Sequence, residues 1–349
     1  MKSDDYSMNA NKKLLILMDW QPPRDWSYLN ALEPYFDKVE ILTSASPQGY
    51  NSYFEKVVTL WRSYIIGSWN AFKRSRNVDV VFAWHAVLGL LLAFWCRMLF
   101  RKTPKIVIAQ LIEPDRPDGV LQWLRTAFVR FTLKRVELVV VYSRVEVEEY
   151  KKRFGNSRTE FRFVPLGLDP QKSRVRPSRG YIFSGGRSNR DYGTLFRSVQ
   201  DLDVSVEVVA QRFNIKDTVP PNVHVQYSVF GSDFDDLVAG AEIVVIPLDR
   251  PDESSGQLVV LQAMAHGKAV VVTHNRGILD YIDPGVNAMT VPPRDEVALR
   301  TILVELMHNA EKRRALGERA KQDVRQFSMK ASGQKMAELI GRMVLRSDF

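Results

Sequence analysis

The chain has 349 residues, 45% hydrophobic and 26% charged, which suits a globular protein of about two domains with a large core. Its single cysteine, Cys96, excludes an internal disulfide and a cysteine zinc cluster, and its five histidines show no metal-ligand spacing. The formal charge of +9 is uneven, with an excess of 7 in residues 1–170 and of 2 in the rest; no nucleic-acid motif or compact basic tail accompanies it, so nucleic-acid binding is the weakest reading.

Residues 1–11 are polar and lack the basic start and apolar run of a signal peptide, so a frayed tail and a reducing cytoplasmic location are expected. From residue 12 the chain alternates strand-like and helix-like segments. KKLLILMDW reads as a buried strand ending at Asp19 and Trp20, 26–36 as a helix, VEILTS as a second strand, 53–73 as a long amphipathic helix, and VDVVFAWH as a strand closed by His85. The apolar segment 86–100 is too short to span a membrane and carries Arg97, so a buried crossover or interfacial helix is expected. KIVIAQLI, a helix over 120–134 and LVVVYS complete a doubly wound pattern. No G-x-G-x-x-G occurs, which argues against a nicotinamide or flavin enzyme. Between Lys56 and Lys105 nine basic residues face one acid, Asp79, among interleaved aromatics that include Trp61, Trp69 and Phe72. Such a stretch fits an anionic membrane surface, with Lys73, Arg74 and Arg76 as its basic end, and equally a core-facing helix with a solvated basic side.

FVPLGLDP and a Pro- and Arg-rich run then interrupt all periodicity. The expected division is a first domain over 12–170, a linker over 171–179, a second domain over 180–328, and a C-terminal helix over 329–349 crossing back to the first. In the second half YIFSGGRSNRDYGTLF reads as strand, glycine turn and helix. Gly185 and Gly186 allow close backbone approach, and Arg187 and Arg190 can reach a phosphate. Asp233–Phe234–Asp235 looks like a metal-binding D-x-D, yet reads better as a helix cap. The stretch 252–282, DESSGQLVVLQAMAHGKAVVVTHNRGILDYI, reads as loop, helix and strand. A helix entered through Ser254, Ser255 and Gly256 presents free N–H groups to an anion such as a diphosphate, and Gln262 offers a carboxamide near the same end.

This last stretch resembles the donor-site helix of GT-B glycosyltransferases, especially family 4 and its relatives. There a Glu-containing turn precedes LEAMA-x-G-x-P-V-V; here Glu253 to Gln257 precede LQAMAHGKAVV. Gln262 stands where that family has a ribose-binding glutamate, and the spacing from Glu253 is one residue longer. The resemblance implies an α/β protein of GT-B architecture, with two facing Rossmann-like doubly wound domains and an interdomain cleft. It implies a nucleotide-sugar donor, UDP- or GDP-linked, held by Gly185, Gly186, Arg187, Arg190, Ser254, Ser255, Gly256, Gln257 and Gln262, with Tyr227 near the base. No metal or further cofactor is expected. For catalysis it points to Glu253 and to strand-end groups of the first domain, His85, Glu113 and Asp115, with retention and inversion both open. The acceptor expected is a lipid-linked or glycan precursor, reached from the inner face of the cell membrane by peripheral contact. A nucleotide-sugar 2-epimerase of the same fold and a non-catalytic donor-binding membrane scaffold remain alternatives.

Overall fold

The computed structural model describes residues 12–44, 53–100, 104–111, 119–155, 158–169, 179–251 and 253–345. The chain divides into two compact units, Met1–Val164 with Lys330–Phe349, and Pro165–Met329.

In chain order the first unit contains β1 (Lys13–Met18), α1 (Ser27–Leu32), β2 (Lys38–Thr43), α2 (Tyr53–Arg74), β3 (Val80–Ala83), α3 (Ala86–Met98), β4 (Lys105–Ala109), α4 (Val120–Leu133), β5 (Leu138–Val141), α5 (Arg144–Phe154) and β6 (Glu160–Phe163). The strands form one parallel sheet in the order β2-β1-β3-β4-β5-β6. Continuous aliphatic runs such as LLILM and LVVV suit strands covered on both faces. Leu15, Leu17, Val81, Ala83, Ile106 and Ile108 pack with residues of α2 to α5 in one core. The alternate residues face α1, where Tyr28 stacks on Phe82 with ring centroids 6.3 Å apart. The helix α3 is apolar nearly throughout because it lies between α2 and α4 and presses on the sheet; a Cβ at Gly89 would sit 2.6 Å from Ile108.

The second unit contains β7 (Ile182–Gly185), α6 (Tyr192–Val199), β8 (Val206–Ala210), β9 (Val223–Tyr227), α7 (Gly231–Gly240), β10 (Ile243–Ile246), α8 (Gln257–Ala265), β11 (Ala269–Thr273), β12 (Met289–Val291), α9 (Glu296–His308) and α10 (Ala310–Asp323). Its parallel sheet runs β12-β11-β10-β7-β8-β9. The helices α6 and α9 cover one face, α8 and residues of α10 the other. The final helix, α11 (Met329–Leu345), belongs from Lys330 onward to the first unit, where Gly333 lies so close to the Tyr28 backbone that a Cβ would be 2.7 Å from its carbonyl oxygen.

Three details differ from the sequence reading. The change of unit falls at Val164–Pro165, ahead of residue 170, because Leu166 and Leu168 already pack on the core of the second unit. The segment 26–36 is a two-turn helix followed by a 3-10 turn with Pro34, whose missing N–H stops α-helical bonding. Phe230, not an aspartate, is the N-cap of α7, so Asp233 falls inside the first turn and Asp235 faces His266, 3.0 Å away. Among the described residues no helix is long and apolar enough to cross a membrane.

Candidate active site

In the second sheet strand order reverses between β7 and β10, so the loops over 186–191 and 247–256 leave the carboxyl edge side by side at the point where parallel sheets of this kind hold ligands. Both glycines of the first loop serve packing. A Cβ on Gly185 would meet the Phe234 ring at 2.7 Å, and Gly186 has φ +133 with the Arg190 guanidinium filling the space a Cβ would take. The turn is thus shaped to seat Arg190. That guanidinium donates to the carbonyls of Gly185 (3.1 Å) and Ser188 (2.7 Å), and among the described residues no carboxylate pairs with it. Burial pushes its pKa below the ordinary value, opposed only by nearby Tyr192. A desolvated cation bonded to carbonyls alone is short of a negative partner. Arg187, by contrast, is exposed.

Two asparagines hold the second loop against the first. Asn189, at φ +53, donates to the Arg250 carbonyl (2.9 Å) and to Ser255 Oγ (3.1 Å), and accepts from the Arg250 N–H (2.8 Å). The buried Asn275 donates to the carbonyls of Arg250 (3.0 Å) and Glu253 (2.9 Å) and accepts from the Gly277 N–H (2.8 Å). Glu253 forms an ion pair with Arg250, and Ser254 accepts from the Gln257 side chain. The loop enters α8 through Gly256 at φ +89, with no side-chain cap and no acid in the first turn. The neighbouring α6 differs: Asp191 caps it, accepting from the Thr194 N–H at 3.0 Å. Of the two helix starts beside the β7–β10 crossover, α8 alone keeps its positive end uncompensated. Farther along α8, Gln262 Oε1 is buried without a hydrogen-bond partner among the described residues. Tyr227 ends β9, two strands from β7, with the Arg212 guanidinium 4.7 Å over its ring. The structure therefore brings Gly185, Gly186, Arg190 and the Glu253–Gln257 turn together at one edge, and sets Tyr227 apart from them.

In the first sheet the order reverses between β1 and β3, and the residues after these strands are Asp19 and His85. His85 Nε2 lies 3.9 Å from Asp19 Oδ2, its Nδ1 is buried without a partner among the described residues, and Tyr64 of α2 stacks on the ring at 4.9 Å. Burial lowers the His85 pKa while the Asp19 charge opposes this, which leaves the imidazole neutral at pH 7. Two strands along, burial raises the Glu146 carboxyl to about 7; it accepts from Ser143 Oγ at 3.2 Å in a capping arrangement at the start of α5. Glu113 and Asp115 lie outside the described residues. A cavity of about 340 Å³, lined by Lys105, Glu137, Arg158 and Arg342 among others, opens at the opposite, amino edge of this sheet and contains none of the candidate residues. Among the described residues no group of three His, Cys, Asp or Glu is placed to hold a metal ion.

Residues 199–309 match the family model Glycosyl transferases group 1. No curated protein sequence matches the chain. Among solved structures, sucrose-phosphate synthase from Thermosynechococcus elongatus superposes with a TM-score of 0.70 at 15% identity, covering 96% of this chain and 100% of that one. HepE from Anabaena, in complex with UDP-glucose, gives 0.70 at 16% identity over 95% and 100%. The E. coli trehalose-6-phosphate protein bound with UDP-2-fluoro glucose gives 0.71 at 10% identity over 94% and 99%. At these identities the likeness is one of fold. The match to the glycosyl transferases group 1 model lies within the second unit, and the fold is that of the GT-B glycosyltransferases.

Proposed function

We propose that the chain transfers a sugar from a nucleotide-diphosphate donor, bound at the carboxyl edge of the second sheet, to an acceptor bound by the first unit. The observation that carries this reading is Arg190, a half-buried cation without a carboxylate, seated beside the uncapped start of α8. Transfer leaves a nucleoside diphosphate with growing negative charge, and a preoriented guanidinium and helix start meet that charge without reorganising. Gln262 Oε1, lacking a protein partner, is free to accept from a ribose hydroxyl. UDP is the nucleotide favoured, since HepE and the E. coli protein of like fold were solved with UDP-sugars. Glu253, tied to Arg250, shapes the turn that the donor contacts. Neutral His85 takes the acceptor hydroxyl proton, and Asp19 stabilises the imidazolium that forms. The acceptor is a lipid-linked or glycan precursor at the inner face of the cell membrane, where the protein binds peripherally.

The test is incubation with UDP- and GDP-sugars, with and without lipid-linked acceptors, following nucleoside diphosphate release and acceptor mass. Diphosphate release coupled to a gain of one sugar residue supports transfer. Conversion of the donor sugar to its 2-epimer without acceptor would replace this reading with an epimerase. Tight nucleotide binding with no turnover of any pair would leave only a donor-binding scaffold.

A further inference from the structure

An amphipathic helix on a globular surface normally turns its polar side outward. In α2 the outward side carries large apolar groups: Trp61 is 52% exposed, and Ile65 and Trp69 follow it at four-residue steps with the exposed Ile66 beside them, while Gly67, Ser68 and Ala71 are buried. The start of α4 repeats the anomaly, with Leu121, Trp123 and Leu124 all more than half exposed. Between them α3 packs against both helices and is followed by Phe100, 90% exposed. Three adjacent helices on one face of the first sheet thus present aromatic and aliphatic groups to the outside.

The charges on these helices are almost all of one sign. Among the described side chains, Glu55 is the single acid, against Arg62, Lys73, Arg74, Arg97, Arg125 and Arg130. The basic groups lie along the apolar ones: Lys73 Nζ sits 6.0 Å from the centre of the Trp69 ring, and the Arg97 guanidinium 4.3 Å from that of Phe131. The Glu40 carboxyl on β2 is held low chiefly by its hydrogen bond and charge pairing with Lys38, and Arg74 adds a smaller attraction, so Arg74 is partly turned towards β2.

We infer that the outer face of α2, α3 and α4 is a docking surface for an anionic phospholipid bilayer. A second copy of the chain would set this positive face against itself, a like-charge juxtaposition that opposes pairing. Tryptophan and arginine along an apolar stripe are the groups that settle at the boundary of headgroups and acyl chains, the indole N–H and guanidinium remaining in the polar layer. The same α2 that carries Trp61 and Ile65 stacks Tyr64 on His85, so docking holds the candidate acceptor edge of the first unit near the lipid. This last step rests on the transfer reading above; the docking itself does not.

The experiment is co-sedimentation of the full chain with vesicles of phosphatidylglycerol and phosphatidylcholine, or of phosphatidylcholine alone, at low and high salt. UDP titrations on the same preparations report on the second unit. The wild type should pellet with the anionic vesicles, less so at high salt, and its tryptophan emission should be quenched by lipids brominated on the acyl chain. Leu121→Ser/Trp123→Ser/Leu124→Ser should reduce partitioning at least about tenfold, and Arg62→Glu/Lys73→Glu should remove binding at low salt. Val297→Ser, which changes an exposed apolar residue on α9 of the second unit, should pellet like the wild type. The inference is overturned if the wild type stays in the supernatant or if both multiple variants pellet as well as it does. It is equally overturned if the wild type is a dimer that the α4 variant turns into a monomer, since a second copy would then occupy the face. Unchanged UDP affinity alongside any of these results leaves the donor reading standing, whereas loss of UDP binding in the wild type removes that reading and not this one.

Discussion

Replacing Arg190 with methionine separates its contribution to folding from its contribution to binding. Without nucleotide, Arg190 donates to two carbonyls but remains half-buried with no anion, and burial lowers its pKa. Two hydrogen bonds from a charged donor, each about 1.5–3 kcal/mol, are therefore set against a desolvation penalty of several kcal/mol. Methionine fills a similar volume without the charge, so the nucleotide-free variant should lie within about 1 kcal/mol of the wild type. Binding behaves otherwise, because losing one charge-assisted contact to the diphosphate weakens UDP by about 1.5–3 kcal/mol, roughly ten- to 150-fold in Kd. At UDP about 100 times the wild-type Kd, the wild type gains about 2.7 kcal/mol and the variant only about 0.3–1.4. Scanning calorimetry of both proteins with and without UDP reads these quantities. If Arg190→Met melts as though it had lost more than about 2 kcal/mol and still shows the full UDP-induced rise, Arg190 is a structural strut and the anion argument fails.

Gln262→Glu should lower the nucleotide-free melting temperature, because a carboxylate then occupies a buried position that lacks a partner, and enlarge the rise produced by UDP, because it accepts ribose hydroxyls more strongly. A smaller rise would detach Gln262 from the ribose. The Glu146 carboxyl is raised from the ordinary 4.5 to about 7 chiefly by burial, so its contribution is fully present below the unfolded value and is lost as pH rises through that window. Relative to Glu146→Gln, the wild type should lose at most about 3 kcal/mol between acidic and mildly alkaline pH. Urea unfolding of both proteins across that range measures it, and a constant difference would show that Glu146 does not titrate there.

The strands were legible because buried parallel strands leave uninterrupted aliphatic runs, as in LLILM and IVVI. The glycine turn and the entry to α8 were legible because Gly, Arg and Ser at loop-to-helix junctions carry a local meaning. Asn189 and Asn275 were not, since each acts through bonds to residues 22 to 66 positions away and has no periodic signature. The role of Gly186 was only half visible: the sequence suggests room for a ligand, whereas the immediate occupant is the Arg190 side chain. For α2, periodicity marks the apolar positions but cannot say which stripe meets the sheet, and here apolar stripes lie on both sides. Asp233 does not cap α7 because the helix is entered at Phe230, three residues earlier than a cap at Asp233 would place it.

The chain enters and leaves the second unit at neighbouring points, with the Leu168 N–H bonded to the Phe327 carbonyl at 2.8 Å and the Met329 N–H to Asp169 at 3.2 Å. The first unit is consequently discontinuous, closed by a helix that is made only after the whole of the second. On the ribosome, synthesis order and folding order then part company. The segment Pro165–Met329 holds every strand of its own sheet once Met329 has emerged, whereas the first unit lacks the helix that seats Gly333 on Tyr28 until residues beyond Lys330 have been made. At about 5–20 residues per second the first unit waits roughly ten to forty seconds after Val164 is made. During that interval the apolar surface reserved for α11 is open to chaperones and to neighbouring nascent chains, so the later-encoded unit is the one that reaches its native form first.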